Sequence, residues 1–304
     1  MTQIDAGLSH GRRALGKSGI TVSPLAWGMW RFRGTDVKAA RALVETALET
    51  GIDLLDTADI YGPDNNEPFG AAELLLGKVL AEAPSLRDRF TLATKGGIEM
   101  GTPYNSSSDY LVSAVEASLT RMGVERVELW QIHRADHLAH PADIARTFET
   151  LRRQGKVAEF GVSNHTPAQV AALQAHLTFP LVSVQPEFSP LAIEPLYDGI
   201  LDQAVEMGLA VLAWSPLGQG RLADPKDDRS RAVVTELTKV AERASVSVTA
   251  AAYGWIMAHP SGAIPIVGSQ QVARIKEAAQ ALSFTYSRAE WYAVLTAARG
   301  TPLP

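Results

Sequence analysis

The sequence predicts an α/β protein: a single (β/α)8 barrel of the TIM type over residues 1–304, with a β-hairpin before it and an extra helix after it. Two observations carry that expectation. Short apolar runs alternate with longer amphipathic segments from end to end, and eight such pairs can be counted. A parallel strand with a right-handed crossover helix, repeated eight times, closes a barrel. The rival is a doubly wound open sheet. It would carry a Gly-x-Gly-x-x-Gly turn after its first strand, where this chain reads Gly28-Met29-Trp30-Arg31-Phe32.

The hairpin comes first. Segment 12–22 holds the turn Gly16-Lys17-Ser18-Gly19 between two short runs and is placed to plug the base of a barrel. Strands are expected at 24–28, 52–56, 90–95, 127–133, 157–163, 181–185, 209–214 and 264–267. Helices are expected between and after them, at 37–49, 71–80, 108–121, 142–153, 167–176, 195–206, 230–244 and 271–282. Thr166-Pro167 sets an N-cap before proline at the first helical position, and Gly51, Gly123, Gly155 and Gly208 end helices before strands. Residues 287–297 read as a last helix outside the repeat. The longer connections, 96–107, 134–141 and 217–229, all follow strands. In a barrel they all rise from the C-terminal face, where the chemistry of such folds is built.

Composition narrows the function. The net charge is −5 and the sequence pI near 5.8, which argues against a nucleic-acid surface. The chain has 0 cysteines, which excludes disulfides, thiolate metal sites and a cysteine nucleophile. Residues 1–13 lack the apolar core of a signal peptide, and no run approaches the ~18 apolar residues of a spanning helix. A cytoplasmic protein without membrane or nucleic-acid partners is the expectation.

Asp56, Lys95 and His133 close the second, third and fourth strands, so that they face one another across neighbouring strand ends roughly 5 Å apart. Tyr61 sits in the loop after Asp56 and can fold back over the same rim. Together they suit hydride reduction of a carbonyl, which needs a proton donor at the developing alkoxide. A phenol of ordinary pKa near 10 is a weak acid at neutral pH unless its anion is stabilised. Lys95 would stabilise it, Asp56 would hold Lys95 charged, and His133 would donate a hydrogen bond to the carbonyl oxygen. A rival assignment makes Asp56, His133 and His137 metal ligands. Barrel metal sites favour His-x-His, which the chain lacks, so no metal is expected.

The chain resembles the aldo-keto reductases. The resemblance rests on Leu55-Asp56-Thr57-Ala58-Asp59-Ile60-Tyr61-Gly62, Ala93-Thr94-Lys95, Gln131-Ile132-His133-Arg134, Gly155-Lys156-Val157, Gly161-Val162-Ser163-Asn164, Val184-Gln185, Trp214-Ser215-Pro216-Leu217 and Gly268-Ser269 with Arg274 and Glu277. It implies that Asp56, Tyr61, Lys95 and His133 are the catalytic tetrad and that NADPH (rather than NAD) is the cofactor. Ser163, Asn164 and Gln185 would hold the nicotinamide carboxamide, and Trp214 would stack on its ring. Ser215, Pro216, Leu217, Gly218, Gly220 and Arg221 would wrap the pyrophosphate. Gly268, Ser269, Arg274 and Glu277 would take the adenosine end, with Arg274 on the 2′-phosphate. Gly28, Met29 and Trp30 would complete the cofactor site, and Trp30, Tyr61 and His133 would line the substrate pocket.

Some positions depart from the family's pattern. Gly268 stands where many members have lysine, and Ala278 where many have asparagine. Segment 62–72 is longer than usual. The implied activity is reduction of aldehydes, and of some ketones, as small-molecule substrates. A monomer suffices for it and the oligomeric state stays open. The alternative is a non-catalytic NADP-binding subunit of the same fold that senses redox state.

Overall fold

A computed structural model describes residues 11–304. The hairpin strands β1 (Arg13–Ala14) and β2 (Thr21–Val22) pair antiparallel. The barrel strands follow: β3 (Ala26–Gly28), β4 (Leu54–Asp56), β5 (Thr91–Gly96), β6 (Val127–Ile132), β7 (Val157–Ser163), β8 (Ser183–Gln185), β9 (Ala210–Ala213) and β10 (Ile264–Val267). They close in the order β10-β3-β4-β5-β6-β7-β8-β9, parallel throughout. The helices are α1 (Val37–Glu49), α2 (Ala71–Glu82), α3 (Ser108–Met122), α4 (Pro141–Arg153), α5 (Pro167–Gln174), α6 (Ile200–Met207), α7 (Asp228–Ala244), α8 (Val248–Met257), α9 (Val272–Ala278) and α10 (Arg288–Arg299). Among the described residues no helix is long and apolar enough to cross a membrane.

Strand residues alternate between two buried layers, because successive side chains leave a strand on opposite faces and both faces of a barrel are covered. Trp27, Leu55, Leu92, Trp130, Phe160 and Val184 turn outward into the layer beneath the helices. Ala26, Leu54, Ala93, Leu129 and Leu212 turn inward, and Leu15 and Val22 of the hairpin join them to stopper the base. The turn fits only because residue 16 is glycine. Its φ is +57°, and a Cβ there would lie 2.3 Å from Val182 O. Two residues above each inward side chain comes the next one. Asp56 therefore stands above Leu54 and Lys95 above Ala93, which lifts both to the mouth.

Two elements differ from the sequence expectation. Helix α8 was missed because residues 248–257 are apolar on every side and show no amphipathic stripe; all its residues from Ala250 to Met257 are buried. The expected helix at 195–206 starts only at Ile200. Before it, residues Glu194–Leu196 form a short 3-10 turn, and Gly199 at φ +86° interrupts any continuous helix.

Candidate active site

At the mouth, Lys95 Nζ donates to Asp56 Oδ2 at 2.7 Å and to Thr57 O at 2.7 Å. Gln185 Nε2 donates to the other Asp56 oxygen at 3.1 Å. Lys95 is 0% exposed and Asp56 2%. Burial alone would depress the ammonium pKa, but the charge of Asp56, with Tyr61 beside it, outweighs burial and raises it. The lysine is therefore a fixed cation in a site sheltered from water, where its field is screened least.

The loop after β4 runs on as if it were more strand. Thr57 N donates to Ala93 O and Asp59 N to Lys95 O, both at 2.9 Å. Tyr61 N then turns back to Ala58 O, and Tyr61 O caps into α2 through Ala72 N. This path brings the Tyr61 ring edge-on to His133, with centroids 5.9 Å apart and planes at 77°. Lys95 Nζ lies 5.1 Å from the phenol ring centroid. Burial raises the Tyr61 pKa above its ordinary value, while Lys95 pulls it down. His133 is held through its backbone, N to Gly96 O at 2.8 Å and O from Asn164 Nδ2 at 3.1 Å. Among the described residues its Nδ1 is buried without a partner. Burial first, then Lys95 and Arg134, drive its pKa well below 6.5. The imidazole is neutral at neutral pH and can donate one N–H.

Beside the tetrad lies a second set. Ser163 Oγ donates to Gln185 O at 2.9 Å and accepts from Asn164 Nδ2 at 2.8 Å. Trp214 Nε1 donates to Asn164 Oδ1 at 3.0 Å, and the Arg134 guanidinium lies 5.7 Å from a Trp214 ring centroid. Two non-glycine residues here, Asn164 (φ +56°) and Ser215 (φ +48°), sit in the left-handed region, a cost of about 1–3 kcal/mol each that surrounding contacts must hold. Leu217, Gly218 and Gly220 form an irregular turn after buried Pro216, with Arg221 Nε on Gly218 O at 3.1 Å. A Cβ on Gly220 or Gly268 would meet nothing within 4 Å, so both backbones face open space. Arg274 is exposed on α9. Ser269 O accepts from Trp27 Nε1 at 2.9 Å, and Glu277 lies half-buried near Tyr253 and Arg274. Polar groups of Ser163 and Asn164, an indole, open glycine backbone and the cations Arg221 and Arg274 are the chemistry that a phosphorylated nicotinamide cofactor needs, though Ser163 and Asn164 must exchange some of their present hydrogen bonds to hold it.

Some expected residues fall elsewhere. The Met29 side chain is 0% exposed and packs in the helix layer, because the chain continues as strand past Gly28 with Met29 N on Asp56 O at 2.9 Å. Its side chain turns away from the mouth. Gly28 lies beside Asp56 in register, and its carbonyl is taken by Gln270 Nε2 at 2.9 Å. Gln185 is committed to Asp56 through its amide nitrogen, so only its oxygen is left for a carboxamide. Trp30 is 43% exposed at the rim and clamped by segment 63–67. Its Nε1 donates to Asp64 Oδ2 at 3.3 Å, and Asn65 Nδ2 donates to its carbonyl at 2.6 Å. Arg134 entered the sequence reading only as part of the Gln131–Arg134 motif, with no role assigned, and Gln270 was not anticipated, since a lone glutamine in a loop gives no periodic or motif signal. Among the described residues no three of His, Cys, Asp and Glu gather as metal ligands.

The chain belongs to the aldo-keto reductase family and is an oxidoreductase: the sequence model of the Aldo/keto reductase family matches residues 24–298. It is 53% identical, over 99% of each chain, to a 6-dehydroglucose reductase of Novosphingobium aromaticivorans. A 6-dehydroglucose reductase of Agrobacterium fabrum is 34% identical over 92% of this chain and 96% of that one. Among solved structures, the thermostable aldo-keto reductase Tm1743, in complex with the inhibitor epalrestat, superposes with a TM-score of 0.81. It covers 94% of this chain and 99% of that chain at 21% identity, and it bears on the fold alone.

Proposed function

We propose that the protein reduces aldehydes, and some ketones, to alcohols with NADPH, and that its substrates include a sugar-derived aldehyde of the kind named for its 53% identical relative. The observation that carries the reading is the buried ammonium of Lys95 set between Asp56 and the Tyr61 ring. Such a cation stabilises the phenolate that forms as Tyr61 gives its proton to the developing alkoxide. Neutral His133 donates a hydrogen bond to the carbonyl oxygen and orients it. Asp56 and Gln185 hold Lys95 in place.

When bound, the cofactor supplies the hydride that reaches the carbonyl carbon. Ser163, Asn164 and the Gln185 oxygen would hold its carboxamide, Trp214 its ring, the turn from Ser215 to Arg221 its pyrophosphate, and Ser269 and Arg274 its adenosine end. The exposed Trp30, with Asp64 and Asn65 fixing it, offers a flat apolar face bordered by hydrogen-bonding groups, which suits a polyhydroxylated substrate.

The test is loss of NADPH absorbance with 4-nitrobenzaldehyde and with 6-dehydroglucose, and NADH in parallel. Turnover of the sugar aldehyde with a lower KM than 4-nitrobenzaldehyde supports the reading. No turnover of either aldehyde, with NADPH still bound, would sink it.

A further inference from the structure

Asp59 lies between Asp56 and Tyr61 in sequence, in the turn that carries the phenol over the mouth. Its amide donates to Lys95 O, but its side chain leaves the mouth. It enters the seam between β5 and helices α2 and α3. There Oδ2 sits 2.9 Å from where a Cβ on Gly96 would stand, and the Trp130 ring comes within 2.7 Å of the same point. Asp59 is 1% exposed, and among the described residues neither carboxyl oxygen has a hydrogen-bond partner.

A second acid shares the seam and is treated differently. Glu73, 0% exposed, pairs with Arg121 Nε at 2.7 Å and accepts from Thr94 Oγ1 at 2.5 Å. Two buried acids thus face one close cation, and Glu73 holds it. A carboxylate out of water that makes no hydrogen bond, and whose nearby cations Arg121 and Lys95 are paired with Glu73 and Asp56, is unfavourable enough that the group takes up a proton instead.

We propose that Asp59 is a neutral carboxylic acid at neutral pH and serves as a positioning residue, wedging the Tyr61 loop against β5 without adding charge beside Lys95. The titratable groups that act on it are Glu73 from α2, Arg121 and the neutral phenol Tyr110 from α3, and Lys95 from β5. Burial first, then the charge of Glu73, hold the carboxyl well above its ordinary range. Arg121, the Ile60 amide and Lys95 pull the other way without offsetting them. Asp56 is then the anion that sets the Lys95 field. The consequence for Tyr61 rests on its assignment as proton donor above; the protonation of Asp59 does not.

The experiment compares the full chain with Asp59→Asn and Asp59→Ala by infrared difference spectroscopy, thermal melts and kinetics across pH. Wild type should show the carbonyl stretch of a protonated acid at neutral pH, and Asp59→Asn should lack it. Carbon-13 shifts of labelled aspartates give the same reading without any variant. Unfolded Asp59 loses its proton near pH 4 while the folded group keeps it. Its share of stability is therefore full below about pH 4 and is lost as pH rises toward the folded pKa. Asp59→Asn has no such loss, so its melting temperature relative to wild type should climb from acid to neutral pH. Asp59→Ala should lower kcat by about tenfold or more, and Asp59→Asn should restore it. Overturning results are an ionised Asp59 in the wild-type spectrum, or an Asn variant as slow as Ala and destabilised equally at every pH. Wild-type turnover of 4-nitrobenzaldehyde, measured alongside, tests the reductase reading separately.

Discussion

Lys95 Nζ and Asp56 Oδ2 lie 2.7 Å apart with side chains 1% and 3% exposed, a buried ion pair at the mouth of the barrel. Breaking such a pair leaves an uncompensated buried charge. Lys95→Met should cost about 3–5 kcal/mol of stability, read as a lowered denaturation midpoint. Reduction should be almost abolished. A variant with wild-type stability and rate would remove Lys95 from the mechanism.

Tyr61→Phe keeps the ring against His133 and removes only the hydroxyl. The expected result is a fall in kcat of about a hundred- to ten-thousandfold, with the dissociation constant for NADPH unchanged by fluorescence quenching. Retention of most of the rate would reassign the acid.

The pH profile follows from two directions. The His133 pKa lies well below 6.5, so its loss of a proton happens on the acid side and the reduction rate should run level through pH 6.5. Tyr61 has a raised pKa and must be protonated to donate, so reduction should fail only on the alkaline side, above pH ~10. An inflection in kcat/KM centred near 6.5 that vanishes in His133→Gln would contradict the neutral imidazole.

Arg274→Ala should weaken NADPH by about tenfold or more and leave NADH nearly untouched, since a guanidinium on a phosphate is charge-assisted and often bidentate. Equal losses in the two titrations would place the 2′-phosphate elsewhere.

Gly16→Ala tests the stopper. The added methyl would meet Val182 O at 2.3 Å on a backbone of φ +57°, and the strain should cost about 1–3 kcal/mol in a chemical melt. The kcat of the folded fraction should hold, because the mouth lies at the other end of the strands. A variant as stable as wild type would mean that the hairpin seats loosely.

The barrel was legible because its signal is local: short apolar strands, capped amphipathic helices and glycine stops repeat along the chain. Helix α8 escaped because a helix buried all round has no stripe to read. Asp56, Lys95 and His133 could be placed together from strand order alone, since neighbouring strand ends must be neighbours in space. The face that Met29 takes was not legible, because it depends on where the strand stops, and here the extended backbone continues beyond Gly28. Asp59 and Glu73 looked like ordinary loop and helix acids. Only the folded seam shows that Glu73 is paired with Arg121 while, among the described residues, Asp59 makes no ion pair.

The apolar floor of Leu15, Val22, Leu54, Ala93 and Leu129 also makes the barrel a cup with no drain. Water cannot file up through it from below. On the role proposed for Tyr61, the proton it gives away is refilled over the same lip by which reactants arrive, so resupply and substrate traffic share one doorway.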